Sequence, residues 1–231
     1  MVQWGDFVLE RLVARKRSEL TACLAPELPE PYNYFGSFFL NNVIILSAPD
    51  ETTWPRIVFL RRLANAVQAY RDGREQMRKC VAAPRHSNDM IRTYLNSLFY
   101  FESAIMNTYL ALMAHNIVGR IIAKHAKRDP EAAVPPAFKS KDGSPPQRLN
   151  AAYNALKHFD DNLEKGIITN TVPVWLVDDG IECVGSEGET KLRFDELTGV
   201  LCDLEVDARF LAEDVFRMAQ DAIRARGSEA R

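Results

Sequence analysis

Residues 89–127 read DMIRTYLNSLFYFESAIMNTYLALMAHNIVGRIIAKHAK, and this stretch decides the fold. Its apolar side chains recur at the spacing of three and four residues that places them on one face of a helix. The positions that form this stripe are Ile91, Leu95, Leu98, Ile105, Tyr109 and Leu112. An unbroken helix of this length would span roughly 57 Å. We therefore predict a mainly α-helical protein organised around one long helix.

Further helices are predicted on both sides of this stretch. They are expected at Gly5–Cys23, from Pro55 to just before Pro84, at Arg148–Glu164, and from Asp195 towards the C-terminus. The side chains predicted to face inward from the last helix are Leu197, Leu201, Leu204, Phe210, Leu211, Val215, Phe216 and Met218. Phe38–Leu46, FFLNNVIIL, is mostly apolar, so periodicity does not decide between a buried strand and a helix. The predicted architecture is a bundle of about five or six helices.

Strand character is concentrated in one segment. Val172–Val184, VPVWLVDDGIECV, has two short β-type runs around Asp178–Gly180, a pattern typical of a tight hairpin. We predict a β-hairpin insertion at residues 172–194, before the C-terminal helix. Residues 129–147 contain five prolines and are predicted to form a loop or linker. The whole chain, residues 1–231, is expected to be a single helical domain.

Composition narrows the class of protein. A hydrophobic fraction of 47% and a charged fraction of 26% are typical of a folded globular chain. The four cysteines form no C-x-x-C pair, and no Glu-x-x-His occurs, so we expect no metal and no cofactor. The most apolar stretch, Leu98–Ile122, carries Glu102 and His115, which argues against a membrane helix. We expect a cytoplasmic protein without membrane contact.

Charge is unevenly distributed along the chain. Residues 51–128 contain thirteen Lys and Arg against five Asp and Glu, whereas residues 178–214 contain three against twelve. One interpretation is that the basic middle packs beside the acidic tail. The other is a basic surface that binds phosphates.

The segment Arg148–His158 contains the residues that could carry chemistry. Asn154 and His158 are four residues apart and project from one side of a helix, and Glu102, in the stripe of the long helix, is their candidate partner. A carboxylate beside His158 would raise the histidine pKa and make the ring a positioned acid or base. Alternatively, the three side chains satisfy one another between two helices in a purely structural role. Spacing does not separate these two hypotheses.

The stretch YNALKHFD, residues 153–160, resembles the signature of the HEPN-type helical superfamily. That signature consists of an arginine, a polar residue, three variable positions and a histidine. Asn154 matches the polar position and His158 the histidine, while Tyr153 stands at the arginine position. The superfamily includes metal-independent RNA-cleaving toxins, antiphage abortive-infection proteins of the AbiV kind, and non-catalytic interaction modules.

The resemblance implies a bacterial protein of phage defence that cleaves or binds RNA. His158 would activate a ribose 2′-OH or protonate the leaving oxygen, and Asn154 would orient the phosphate. The residues expected to contact the RNA backbone are Arg148, Arg71, Arg74 and Arg78. The alternative for the three spaced arginines is a solvated helix face. The alternative for the whole protein is a non-catalytic helical module that forms a homodimer or binds another protein.

Overall fold

A computed structural model describes most of the chain. The described residues are 15–16, 19–29, 34–46, 50–85, 87–138, 142–166, 174–185 and 188–229. Most of the predicted opening helix, Gly5–Cys23, lies outside these ranges. Its last part is described, and residues 20–29 form an irregular segment rather than a helix. The prediction that the helix continues to Cys23 is therefore wrong.

Asp178 holds the irregular segment in place. Its carboxylate accepts hydrogen bonds from the backbone N–H groups of Thr21, at 2.6 Å, and Ala22, at 3.0 Å. Its backbone carbonyl accepts the N–H of Leu24 at 3.0 Å. A continuing helix would need these donors for its own ladder, so their bonds to Asp178 are incompatible with helix over residues 20–23.

The other described residues are mainly α-helical, as predicted. The α-helices are α1 (Tyr34–Phe38), α2 (Thr53–Ala82), α3 (Asn88–His125), α4 (Pro130–Ala133), α5 (Pro145–Lys157), α6 (Phe159–Glu164) and α7 (Phe194–Glu229). Helix α3 is the long helix predicted from residues 89–127. None of the helices in the described ranges has the length and apolar character needed to cross a membrane.

The apolar run Phe38–Leu46 is helical, which resolves the alternative that periodicity left open. Phe38 ends α1, and a π-helix follows from Phe39 to Leu46. The buried side-chain amide of Asn41 donates to the backbone carbonyl of Ser37 at 2.7 Å. A helix brings a side chain over the carbonyl four residues earlier, an arrangement that a strand does not offer.

The predicted β-hairpin before the last helix is confirmed, and a third strand extends it. The strands β1 (Val174–Val177), β2 (Gly180–Gly185) and β3 (Gly188–Arg193) form an antiparallel sheet in sequence order. Ile181 lies opposite Leu176 on one side and Leu192 on the other, and all three are buried. Leu192 is the buried residue of β3, whose remaining side chains are partly or fully exposed.

The chain divides into two compact units. The first unit comprises Met1–Leu28, Ala66–Met106 and Ser140–Val200. The second comprises Pro29–Asn65, Asn107–Lys139 and Leu201–Arg231. The expectation of a single domain stays a prediction.

The predicted proline-rich loop contains ordered elements. Within residues 129–147, α4 forms a single turn whose N-cap, Asp129, accepts the N–H of Glu131. Ser144 caps the start of α5 by accepting the N–H of Gln147. Proline suits the first turn of a helix because the backbone N–H that it lacks would have no partner within the helix there. The prolines at the start of α4 and α5 therefore begin helices as well as interrupt them.

Aromatic packing organises the core of the first unit. The Phe101 ring lies 4.7 Å from that of Phe194 and 5.6 Å from that of Tyr70, measured between centroids, and all three residues are buried. Tyr94, also buried, accepts the backbone N–H of Leu176 at 3.2 Å through its hydroxyl oxygen. Parts of α2, α3 and α7 thus share a core with the sheet, and the hydroxyl of Tyr94 contacts β1 directly.

Candidate functional site

Asn154 lies on α5 and His158 is the C-cap residue that follows it, whereas Glu102, the third residue predicted to be catalytic, lies on α3. The prediction of one continuous helix over Arg148–Glu164 is wrong, because the chain leaves the helical conformation at His158 and α5 and α6 are separate.

The buried residues of α5 are Leu149, Ala152, Tyr153 and Ala155. A Cβ atom added to Gly185 of β2 would lie 3.4 Å from the Cβ of Ala155, so α5 packs closely against the sheet at this point. The packing of this apolar face leaves Asn154 and His158 exposed.

Asn154 and His158 make only local contacts in the described structure. His158 Nδ1 lies 3.4 Å from Oδ2 of Asp161, and the side chain of His158 is 46% exposed. The side-chain amide of Asn154 donates to Oδ1 of Asn150 at 3.4 Å. The imidazole is therefore open to solvent beside a carboxylate, which is the geometry that an acid–base role requires. The buried cluster of the structural hypothesis is not formed.

Glu102 does not take the predicted place beside His158. The contacts of the described residues give its carboxyl no hydrogen-bond partner, and its half-buried position in α3 raises its pKa. Its charge acts instead on Cys183 of β2, whose pKa is raised to about 12, mainly by burial and further by Glu102. The predicted pairing of Glu102 with His158 is corrected accordingly, because Asp161 is the carboxylate that the structure places at the ring.

Arg148 binds protein groups rather than facing open solvent. Its Nε donates to Oε2 of Glu196 at 3.0 Å, and a second guanidinium nitrogen contacts the other carboxylate oxygen. A third nitrogen donates to the carbonyl of Gly143. The hydrogen bonds to Glu196 raise the pKa of Arg148. Glu196 is buried, and this bidentate ion pair links the first turn of α5 to the first turn of α7.

Two of the three arginines predicted on α2 hold the irregular segment. Arg71 donates to the carbonyl of Leu28 at 3.2 Å, and Arg74 donates to that of Ala25 at 2.9 Å. Arg74 also pairs with Glu27 at 3.6 Å. Arg78 points elsewhere and pairs with Glu75, one turn earlier on α2, at 3.3 Å. A role in RNA binding stays a prediction for all three. The side chain of Arg78 is 60% exposed, against 23% for that of Arg74.

The acid beside His158 was missed, although the sequence carried a signal for it. Asp161 follows His158 by three residues, a spacing that brings side chains together on one helical turn. The prediction favoured Glu102 because a carboxylate in an apolar stripe needs a partner. A partly buried carboxyl to which the described residues give no hydrogen-bond partner, as at Glu102, is the less common outcome.

The arginine-to-histidine spacing of the HEPN signature also occurs in α3, at Arg120 and His125. Ile121 stands at the polar position there. Arg120 Nε lies 3.1 Å from Glu131, and His125 Nε2 lies 3.1 Å from Glu51. Each side chain thus has its own acidic partner, and the two are not paired with each other in the described contacts.

Metal binding and similarity to known proteins are two further indicators of function. Within the described ranges, His, Cys, Asp and Glu side chains form no group of three or more that could hold a metal ion. No protein-family model, no curated protein and no solved structure matches this chain. The HEPN resemblance, which rests on the match of Asn154 and His158 to the signature, stays a prediction.

Proposed function

We propose that this chain is a non-catalytic helical module that pairs with a second copy of itself through the C-terminal part of α7. The observation that carries this proposal is the exposure of large apolar side chains there. They are Val206 at 54%, Phe210 at 66%, Phe216 at 46%, Met218 at 54% and Ile223 at 54% exposed. Single exposed apolar residues are common on protein surfaces, but such a density on one helix marks an interaction surface.

The inward side of the same helix supports this proposal. It buries Ala208, Ala212, Val215 and Ala219, which are spaced by three and four residues. Nearer its start, α7 buries Leu197, Leu201 and Leu204. Between residues 206 and 223, by contrast, three of the four buried residues are alanines, while Phe210, Phe216 and Met218 face outward. An isolated amphipathic surface helix normally has the opposite arrangement, so the outward side of α7 is suited to a partner.

Charge along α7 favours a second copy in antiparallel orientation. Residues 201–214 contain five acidic side chains and one arginine, whereas residues 215–229 contain three arginines and two acidic side chains. An antiparallel pair places the acidic part of one helix beside the more basic part of the other. A parallel pair would place the five acidic side chains of both copies together, which is unfavourable.

Charge substitution on the outward side tests this proposal. We expect the double variant Phe216→Glu, Ile223→Glu to weaken self-association by roughly a hundredfold or more, since each apolar side chain contributes about 1.5 kcal/mol or more when buried. Sedimentation velocity over a concentration series measures the effect. Phe99→Glu is the control, because Phe99 is a still more exposed apolar residue, at 65%, but lies on α3. Equal weakening by both variants would contradict the proposal.

A second candidate function is RNA cleavage at His158, favoured by the exposure of its ring beside Asp161. If this candidate is right, the purified protein cuts RNA in the presence of a metal chelator, and His158→Ala abolishes the cutting without changing the unfolding temperature. His125→Ala is the comparison variant, because His125 is also exposed and paired with a carboxylate. Loss of cleavage with His125→Ala and not with His158→Ala would move the site to α3.

A further inference from the structure

A cavity of about 400 Å³ lies within the second unit, among residues of α2, α3 and α7. Its apolar wall includes Phe59, Val118 and Phe210. The Phe59 ring is buried and lies 5.0 Å from the ring of His115, measured between centroids. This volume and this mixture of aromatic and charged lining are typical of sites for small organic molecules.

Arg56 contributes a donor to which the described part of the chain brings no acceptor. Its Nε atom is buried and has no hydrogen-bond partner among the described residues. The carboxylate of Asp50 accepts hydrogen bonds from the backbone N–H and hydroxyl of Thr52 and from the hydroxyl of Thr53. These bonds, together with the nearby charge of Arg56, lower the pKa of Asp50. A buried donor without an acceptor is unfavourable, and an acceptor brought by a ligand would remove that cost.

The other charged groups of the cavity wall have partners within the protein. His115 Nε2 lies 3.2 Å from Oδ2 of Asp207, and Arg217 lies 3.6 Å from Asp214. The two carboxylates make the wall unfavourable for a dianion such as phosphate. A group with a single negative charge, directed at Arg56, is compatible with them.

We propose that this cavity binds a small organic carboxylate with an apolar body of the size of one aromatic ring. The carboxylate accepts a hydrogen bond from Nε of Arg56, which makes a charge-assisted contact. The apolar body lies against Phe59 and Phe210. Phe210 belongs both to the cavity wall and to the outward side of α7, whereas Phe216 and Ile223 do not line the cavity. We therefore expect the Phe216→Glu, Ile223→Glu variant to keep this binding.

Phenylacetate is a suitable probe. Phenylacetamide is its uncharged counterpart, and inorganic phosphate is an anion without an apolar part. We expect wild-type protein to bind phenylacetate on the order of tenfold more tightly than phenylacetamide, and phosphate more weakly than either, in ligand-observed NMR titrations. Equal affinity for the acid and the amide, or binding of phosphate alone, would overturn the proposal. So would the absence of any binding by phenylacetate.

Substitution of Arg56 provides the second test. Arg56→Met is expected to remove the preference for the acid over the amide, whereas Arg61→Met, at an exposed arginine of the same helix, keeps it. Thermal unfolding shows whether each variant is folded. If Arg56→Met does not fold, the acid-to-amide comparison on the wild-type protein decides the proposal. Retention of the full preference in a folded Arg56→Met variant would contradict it.

Discussion

Glu102 carries its charge at a position that favours a neutral group. Its pKa is raised by burial, so folding favours the protonated form. The contribution of Glu102 to stability is therefore present at low pH and lost as the pH rises through the raised pKa. We expect Glu102→Gln to raise the unfolding temperature at about pH 7.5 and to change it little near pH 4.

Thermal unfolding followed by circular dichroism at both pH values measures this difference. Glu213→Gln is the control, because Glu213 is exposed on α7, and we expect it to have no comparable effect at either pH. A lower unfolding temperature for Glu102→Gln at the higher pH would mean that the ionised carboxylate has a stabilising partner.

The residues of the candidate site were predictable in kind, but their partners were not. The local pattern correctly predicted that Asn154 lies in a helix, because helical periodicity depends on the local sequence alone, but His158 is the C-cap residue just beyond that helix. The pairing with Glu102 required two helices to meet at a particular rotation, which spacing does not determine. Asp161, three residues away, needed no tertiary information and was the better choice.

Gly180 is required by the close approach of two strands at the hairpin. A Cβ at this position would lie 2.5 Å from the backbone carbonyl oxygen of Leu192, and backbone cannot move aside as a flexible side chain does. We expect Gly180→Ala to cost about 1–3 kcal/mol of unfolding free energy, as overpacking typically does. Chemical denaturation measures this cost.

Gly199, in the first turns of α7, is the matched control. A Cβ there would have no neighbour within 4 Å, and alanine has the higher helix propensity. We expect Gly199→Ala to stabilise the protein by up to about 1 kcal/mol. If Gly180→Ala were as well tolerated as Gly199→Ala, the strand register described here would be wrong.

Elements were predicted most reliably where one strong pattern dominated. The period of α3 and the β-type runs around the turn at Asp178 correctly predicted a long helix and a hairpin. The third strand, GETKLR at Gly188–Arg193, was missed because it buries one residue, Leu192, and so has no apolar alternation to detect.

Helix α7 shows a different limit of sequence patterns. Its helical character was predicted correctly, but Phe210, Phe216 and Met218 were expected to be buried and are exposed. Hydrophobicity alone ranks large apolar residues as core residues. The structure instead buries the stripe that contains Ala208 and Ala212, since small side chains allow α7 to approach its neighbours closely.

At the scale of the whole molecule, the outward side of α7 is an apolar surface that a single copy does not cover. A net charge of −2 provides little electrostatic repulsion between copies, so apolar contact can dominate their association. Opposite charges along α7 would then set the orientation, and added salt should weaken the pair only modestly.

Sedimentation equilibrium of the wild-type protein tests this claim most directly, because it reports mass independently of shape. We predict that the average mass rises with concentration towards twice the chain mass of 26.2 kDa. A mass that stays at 26.2 kDa up to a concentration of about 100 µM would contradict the proposal, since a pair that weak would bury too little apolar surface to account for the exposed side of α7.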